Sequence, residues 1–301
     1  MEEKTRYSTV RRALEPLRDD GATRVPDFRV LRPYKAEDAF RDAQRRMATL
    51  ARGEARRGVF VFAQHVDHGN VGHLWLEATA APRAGVLGRH HAVDLSLPVN
   101  DALSLRHVLV VVRLVEGRVR TSLVDLASSV GLSVEAVGEV RRVDVEGPLA
   151  ATSLSFGLFV VPTGEPLPWE PRARDAWAQF CAAPRTVMVP KGLPGLEVGQ
   201  VRSRFGRVRG CRRVTEAELA RGLLIGRDGR CDVQVPDDCV SRVHCVALSL
   251  DGVLSVADAG STNGTIREGG VEIGWAPWGD GEVLHLGARA VVEWRGPSMR
   301  A

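Results

Sequence analysis

The sequence is short of tyrosine and of lysine. Its 301 residues include two Tyr and three Lys, the latter at Lys4, Lys35 and Lys191. The other 38 basic residues are arginines, a bias that a GC-rich genome produces as readily as a need for guanidinium chemistry. The formal net charge of +4 is therefore weak evidence for nucleic acid. No Cys-x-x-Cys pair occurs among Cys181, Cys211, Cys231, Cys239 and Cys245, and an odd, scattered set of thiols argues against a disulfide frame or a zinc site. Reduced, buried or idle thiols are expected. No apolar run approaches membrane length, and the most conspicuous, Val108-Leu-Val-Val-Val112, is strand-sized. The start, Met-Glu-Glu-Lys-Thr-Arg, lacks the apolar core of a signal peptide, so a cytoplasmic protein with no membrane partner is expected. Walker, dinucleotide, kinase and Gly-x-Ser-x-Gly signatures are all missing, which leaves no nameable catalytic machinery. The expectation is a binding protein without catalytic residues, cofactor or metal.

The bulk composition, 44% hydrophobic and 26% charged, is that of a folded globular chain. Its length suits roughly two domains. With 31 Gly and 16 Pro the chain is turn-rich, and a mainly β fold is expected. Charge is unevenly spread. Residues 1–57 hold 15 basic and 10 acidic residues, whereas 58–301 hold 26 and 27, so the whole excess sits at the N-terminus.

Residues 1–57 read as a charged, partly helical extension. From about Ala36 to Arg57, the positions Ala39, Phe40, Ala43, Met47 and Leu50 share one helical face, which predicts a docking helix. From Gly58 the texture changes to short apolar runs broken by turns, as expected of antiparallel strands in a sandwich over 58–163. Gly164-Glu-Pro-Leu-Pro-Trp-Glu-Pro171 opens a Pro-rich linker over 164–200, since proline denies the chain both helix and ladder hydrogen bonds. A short helix is expected there, at 172–182. A second strand-rich unit follows at 201–297, with Thr215-x-x-Glu218 as a capping box before Gly222.

This second unit carries Ile225-Gly226-Arg227, Ser241-Arg242-Val243-His244, Asp258-Ala-Gly-Ser261-Thr262-Asn263-Gly264-Thr265 and Leu284-His-Leu-Gly287, in that order. In the order and spacing of these four elements the stretch resembles a forkhead-associated (FHA) domain, a β-sandwich that binds phosphothreonine peptides. The chemistry is sensible in itself. A phosphothreonine carries about −1.5 to −2 charges and three acceptor oxygens, so its receptor needs a guanidinium and hydroxyl or amide donors aimed at one point. The resemblance implies that Arg227 pairs with the phosphate, that Ser241 donates its hydroxyl to it, and that Thr262 faces it. It further implies that Asn263 holds the peptide backbone and that Arg242 adds a weaker phosphate contact. In this pattern His244 is a structural brace, while Gly226 and Gly264 let the backbone turn tightly or approach closely.

The first unit repeats the pattern in worn form, as Gly88-Arg89, Ser104-Leu-Arg-His107, Asp125-Leu-Ala-Ser128-Ser129-Val130-Gly131 and Leu154-Ser-Phe-Gly157. The steps Ser to His, Asp to Ser and Ser to Gly are three residues in both units. Arg to Ser is 15 against 14, His to Asp 18 against 14, and the closing Gly to Gly 26 against 23. The differences fall between motifs, where loops absorb them. A degenerate FHA-like repeat is therefore expected at 58–163, with Arg89, Ser104 and Ser129 as a candidate second phosphate site and His107 as its structural histidine. Val130 stands where Asn263 stands, so the amide that would grip a peptide is missing.

Three rival patterns overlap these units. Leu126 to Arg142 resembles a bacterial helix-turn-helix, which would make the chain a DNA-binding regulator using residues near 123–142 under FHA control. Five registered anchors of the repeat outweigh that one pattern. His65-Val-Asp67-His68 resembles part of the signature of metallo-β-lactamase-like hydrolases, but the ligand set is incomplete and surface histidines on a hairpin are the expectation. Six arginines and no acid lie between Arg202 and Arg213. This strip is expected to be a solvated strand edge, although it has the charge to attract phosphates. The fold read from the sequence is mainly β, with tandem FHA-type sandwiches and a helical N-terminal extension. The function that the resemblance implies is phosphothreonine recognition, with a kinase or kinase substrate of a Ser/Thr-kinase pathway as the expected partner.

Overall fold

The computed structural model describes residues 35–65, 69–97, 104–128, 131–135, 137–153 and 156–297. Ser129 and Val130, with Asp67 and His68, lie outside these residues. A helix opens the described chain (α1, Ala36–Gly53). Its buried positions are Ala36, Ala39, Phe40, Ala43, Met47, Ala48 and Ala51, while Leu50 is only half-buried. The helix stops before the expected Arg57, and the chain turns at Arg56 and Arg57 into a strand.

Eleven strands follow among the described residues: β1 Gly58–His65, β2 Gly69–Glu77, β3 Arg83–Gly88, β4 Leu95–Ser96, β5 Val108–Val115, β6 Arg118–Asp125, β7 Leu132–Val134, β8 Gly138–Val140, β9 Arg142–Glu146, β10 Leu149–Ser153 and β11 Phe156–Thr163. Helix α2 (Ala176–Ala182) and strand β12 (Thr186–Met188) occupy the Pro-rich segment. A second run then comprises β13 Glu197–Phe205, β14 Val208–Thr215, helix α3 Glu216–Arg221, β15 Leu223–Gly226, β16 Val233–Gln234, β17 Cys245–Leu250, β18 Val253–Asp258, β19 Thr265–Arg267, β20 Glu272–Ile273, β21 Trp275–Pro277, β22 Val283–His285 and β23 Ala290–Arg295.

The two runs have one topology. One sheet of the first is ordered β2-β1-β11-β10-β7-β8, and its counterpart in the second is β14-β13-β23-β22-β19-β20. The facing sheets are β9-β6-β5-β3-β4 and β21-β18-β17-β15-β16, with β12 added outside β9. Even the hairpin turns agree. Glu116 and Gly117 between β5 and β6, and Asp251 and Gly252 between β17 and β18, all have positive φ, the backbone of a type I′ turn. Helix α3 begins at the predicted capping box: the Glu218 amide donates to Thr215 Oγ1 and the Thr215 amide to Glu218 Oε2.

The sheets β9-β6-β5-β3-β4 and β21-β18-β17-β15-β16 are buried on both faces. On β5, Val108, Val110 and Val112 point into the first sandwich, while Leu109 and Val111 point outward. On β17, Cys245 and Ala247 point into the second, while Val246, Leu248 and Leu250 point outward. The outward sets meet in one apolar cluster with Val86, Val124, Leu224 and Ala257. This accounts for continuous rather than alternating apolar runs. Trp169, from the Pro-rich segment, is buried with α1 and α2 against Phe159 and Val161, so that segment is packed rather than freely extended.

Several sequence expectations are corrected. The described residues of 123–142 contain strands β6 to β9 and no helix, so the helix-turn-helix reading falls. Its apolar positions Leu126, Leu132 and Val134 are spent on the sandwich and on the contact between sandwiches. His65 is buried against the ring of Phe156, 4.8 Å between centroids, not on the surface. The closing glycines are not equivalent. Gly157 lies inside β11 opposite Gln64, whereas Gly287 lies in the β22–β23 loop with φ +95. The second sandwich begins at Glu197 rather than at 201, because β13 is nine residues long. Among the described residues no helix is long and apolar enough to cross a membrane.

Candidate functional site

The loops that carry the sequence motifs gather at one end of the second sandwich. Arg227 follows β15, Ser241 and Arg242 precede β17, and Ser261 to Asn263 join β18 to β19. Backbone bonds tie the first two loops together. The Arg227 amide donates to Ser241 O at 3.0 Å and the Asp228 amide to Arg242 O at 3.1 Å. Gly226 makes this approach possible, since a Cβ there would stand 2.2 Å from the Arg242 carbonyl oxygen.

His244 joins the second loop to the third. The buried ring accepts the Ser241 amide at Nδ1, 3.2 Å, so its proton is on Nε2, which donates to Gly264 O at 3.1 Å. Burial pushes the His244 pKa down, opposed by the nearby Asp258 carboxylate, and the neutral tautomer is the one this geometry needs. Asp258 shapes the third loop, accepting the Ser261 amide at 2.7 Å, the Ser261 hydroxyl at 2.6 Å and the Thr265 hydroxyl at 2.7 Å.

These braces bring the candidate residues together. The Thr262 amide donates to Ser241 Oγ at 3.0 Å, and the two hydroxyl oxygens are 3.4 Å apart. Asn263 Nδ2 donates to Cys239 O at 2.8 Å, while Gly264 takes φ +71 behind it. Arg227 is half-exposed, and its ionic partner is Asp238 at 3.7 Å, whose side chain is 99% exposed. Such a solvated pair is worth little and yields readily to a dianion. Arg242 is exposed. The set is therefore two hydroxyls in contact and an amide anchored on Cys239 O, on loops adjoining that of Arg227, with Ser241 buried at 8% exposure. Beside it runs a groove of about 520 Å³ lined by Cys239, Asn263, Ile266, Arg267, Gly287 and Ala288.

Residues 223–287 match the family model of the FHA domain. The chain carries an FHA domain. Among solved structures it is similar to a chain from a structural and functional analysis of phosphothreonine-dependent FHA domain interactions, at 25% identity over 33% of this chain and 99% of that one, with a TM-score of 0.28. It is also similar to the FhaA FHA domain complexed with the intracellular domain of Rv3910, at 26% identity over 32% and 99%, TM-score 0.27. A third is the Slr1951 protein from Synechocystis sp., at 21% identity over 34% and 98%, TM-score 0.30. No curated protein matches the chain.

The first sandwich repeats the bracing of the FHA domain. The Arg89 amide donates to Ser104 O at 3.1 Å, the His107 amide to Leu87 O, and the Leu126 amide to His107 O. The corresponding donors in the FHA domain are the amides of Arg227, His244 and Ala259. A Cβ at Gly88 would stand 2.3 Å from the Leu105 carbonyl oxygen. His107 is buried and reaches Gly131 indirectly, with Nε2 2.6 Å from Ser153 Oγ, which donates to Gly131 O at 2.6 Å. Ser129 of the candidate second phosphate site lies outside the described residues, so only Arg89 and Ser104 are placed on adjoining loops.

Two features of the FHA domain's surroundings escaped sequence reasoning. The Cys239 carbonyl, which anchors Asn263, has no side-chain signature. Arg106 of the first sandwich donates from Nε to Gly260 O at 2.5 Å, two residues before Thr262. Its signal was present in the repeat, where a buried arginine takes the position of Val243.

Proposed function

We propose that the FHA domain captures a phosphothreonine on a partner protein, acting as an adaptor in a cytoplasmic Ser/Thr-kinase pathway. One observation carries this reading: Ser241, Thr262 and Asn263 are held by His244, Gly264 and Cys239 into a preformed cluster beside the loop of Arg227. Arg227 neutralises the phosphate, the Ser241 and Thr262 hydroxyls donate to its oxygens, and Asn263 keeps amide capacity for the peptide backbone. Arg242 adds charge at the rim. The first sandwich is read as a degenerate FHA-like repeat whose sheet supports the FHA domain. Val130 in place of Asn263 deprives it of the peptide grip, so its role is structural.

The test is calorimetric titration of the full chain with a phosphothreonine peptide selected from a library. Arg227→Ala is expected to abolish measurable binding, a cost of about 2–5 kcal/mol for one partner of a desolvated charge pair. Arg89→Ala is expected to bind like wild type. Wild-type affinity in Arg227→Ala would refute the site.

A further inference from the structure

We propose that the exposed arginines of the β13–β14 hairpin receive acidic residues flanking the phosphothreonine, so that the preferred partner segment is phosphorylated and acidic. This rests on the FHA-site reading above and names the chemistry of the ligand beyond the phosphate.

All six arginines between Arg202 and Arg213 are exposed. Arg212 pairs with Glu218, and Arg213 with Glu197 at 3.4 Å. Among the described residues no carboxylate pairs with Arg202, Arg204, Arg207 or Arg209. Arg204 stands directly opposite Arg209 in the ladder, an arrangement of like charges that destabilises a sheet. Arg202 stands opposite Glu293 of β23, but that carboxylate is taken by Arg295.

Protection of an open sheet edge explains charge on β14, the outermost strand. It does not explain Arg202 and Arg204, because β13 is an interior strand between β14 and β23. An unneutralised cluster on an interior strand points to a ligand that supplies the missing negative charge.

The register places this cluster next to the site. Phe205, at the end of β13, pairs with Ala290, and the Leu286 amide donates to Ala290 O. Gly287 and Ala288, between them, line the groove with Asn263 and Cys239. The hairpin end is thus one strand spacing, about 5 Å, plus two or three residues of about 3.4 Å each from the groove wall. A peptide leaving Asn263 reaches it within roughly three to six residues at about 3.3–3.6 Å per residue. Arg289 at the same end has Asp237 beside it, so, beyond Arg227 and Arg242 of the site itself, the four hairpin arginines are the charge available to residues flanking the phosphothreonine. Their planar forks suit carboxylates.

The experiment titrates the full chain with three phosphothreonine peptides, carrying four serines on both sides, four glutamates before, or four glutamates after the phosphothreonine. One glutamate peptide is expected to bind about tenfold tighter than the serine peptide, with the gain fading as salt shortens the range of exposed charges. The variant Arg202→Thr/Arg204→Thr/Arg207→Thr/Arg209→Thr should bind the serine peptide like wild type and lose the gain. Its thermal midpoint should be unchanged or higher, because the Arg204–Arg209 opposition is relieved. The proposal is overturned by equal affinity for all three peptides, by a gain that survives in the variant, or by displacement of the glutamate peptide from the hairpin by a DNA duplex or phosphatidylserine vesicles. Loss of serine-peptide binding in wild type would instead sink the FHA-site reading itself.

Discussion

At the scale of single residues, His244 carries the arrangement of the candidate-site loops, and it does so only when neutral. With Nδ1 accepting from Ser241 and Nε2 donating to Gly264, a second proton would put two donors where one acceptor is required. Burial lowers the His244 pKa, with Asp258 opposing and Arg106 reinforcing the shift. Burial lowers that of His107 in the same way. A histidine whose folded pKa lies below its unfolded value of about 6.5 leaves stability flat above that pH. As pH falls below it, the unfolded chain takes up protons that the folded chain refuses, and stability drops until the folded pKa is reached. Equilibrium unfolding between about pH 7.5 and 5 is therefore expected to show a declining free energy below about 6.5. Imidazole titration by NMR should place His244 below the free value. Phosphopeptide affinity should fall over the same interval, because the ligand also gains a proton near pH 6.

At the scale of elements, the N-terminal helix shows how far amphipathic spacing reaches. The face Ala39, Phe40, Ala43 and Met47 was legible because a 3.6-residue period admits few readings, and those side chains are buried. What covers them was not legible. Phe40 lies 4.8 Å from Phe180, 5.5 Å from Trp169 and 5.7 Å from Phe159, centroid to centroid, so α1, α2 and the Pro-rich segment close over β1 and β11 together. Phe40→Ala is expected to destabilise the chain by about 3–5 kcal/mol, measured by denaturant unfolding, while leaving the FHA domain's phosphopeptide affinity intact. Strand β12 is the contrasting case. Thr186-Val-Met188 is too short to carry a period, and only its pairing with Val145 and its neighbours on β9 makes it a strand. Between Leu126 and Arg142 the pattern looked helical because short strands and their turns place apolar residues three and four apart, as a helix does.

At the scale of the whole molecule, the two sandwiches share a buried face, and polar bonds rim it. Asp251 accepts from Arg113 and Arg120 at 2.9 Å each, and Arg141 reaches Asp232 at 3.1 Å. Arg142, 3% exposed, is held by Asp144 and donates to the carbonyls of Ala220 and Ser249. Arg106 connects this interface to the candidate site through Gly260. Arg106→Met keeps the volume and removes the donor to the half-buried Gly260 carbonyl, at a cost of about 1 kcal/mol. The expected outcome is a several-fold loss of phosphothreonine-peptide affinity in calorimetry, with a single cooperative unfolding transition retained. Unchanged affinity would show that the loop holds its shape without the first sandwich.

The amino-acid order by itself determined the parts of this protein that depend on local chemistry. It contained the Gly-Arg, Ser-x-x-His and Ser-Thr-Asn-Gly-Thr loops, the capping box of α3, the apolar face of α1 and most of the repeat, since each is set by residue types at short, fixed spacing. Only the tertiary structure decided which sheets face each other, that His65 is buried, that β12 closes an edge, and that Arg106 reaches across to Gly260. Those outcomes turn on contacts between residues far apart in the chain. Burial of a shared apolar face is set by the shape of the assembled sheets, and no local period records it.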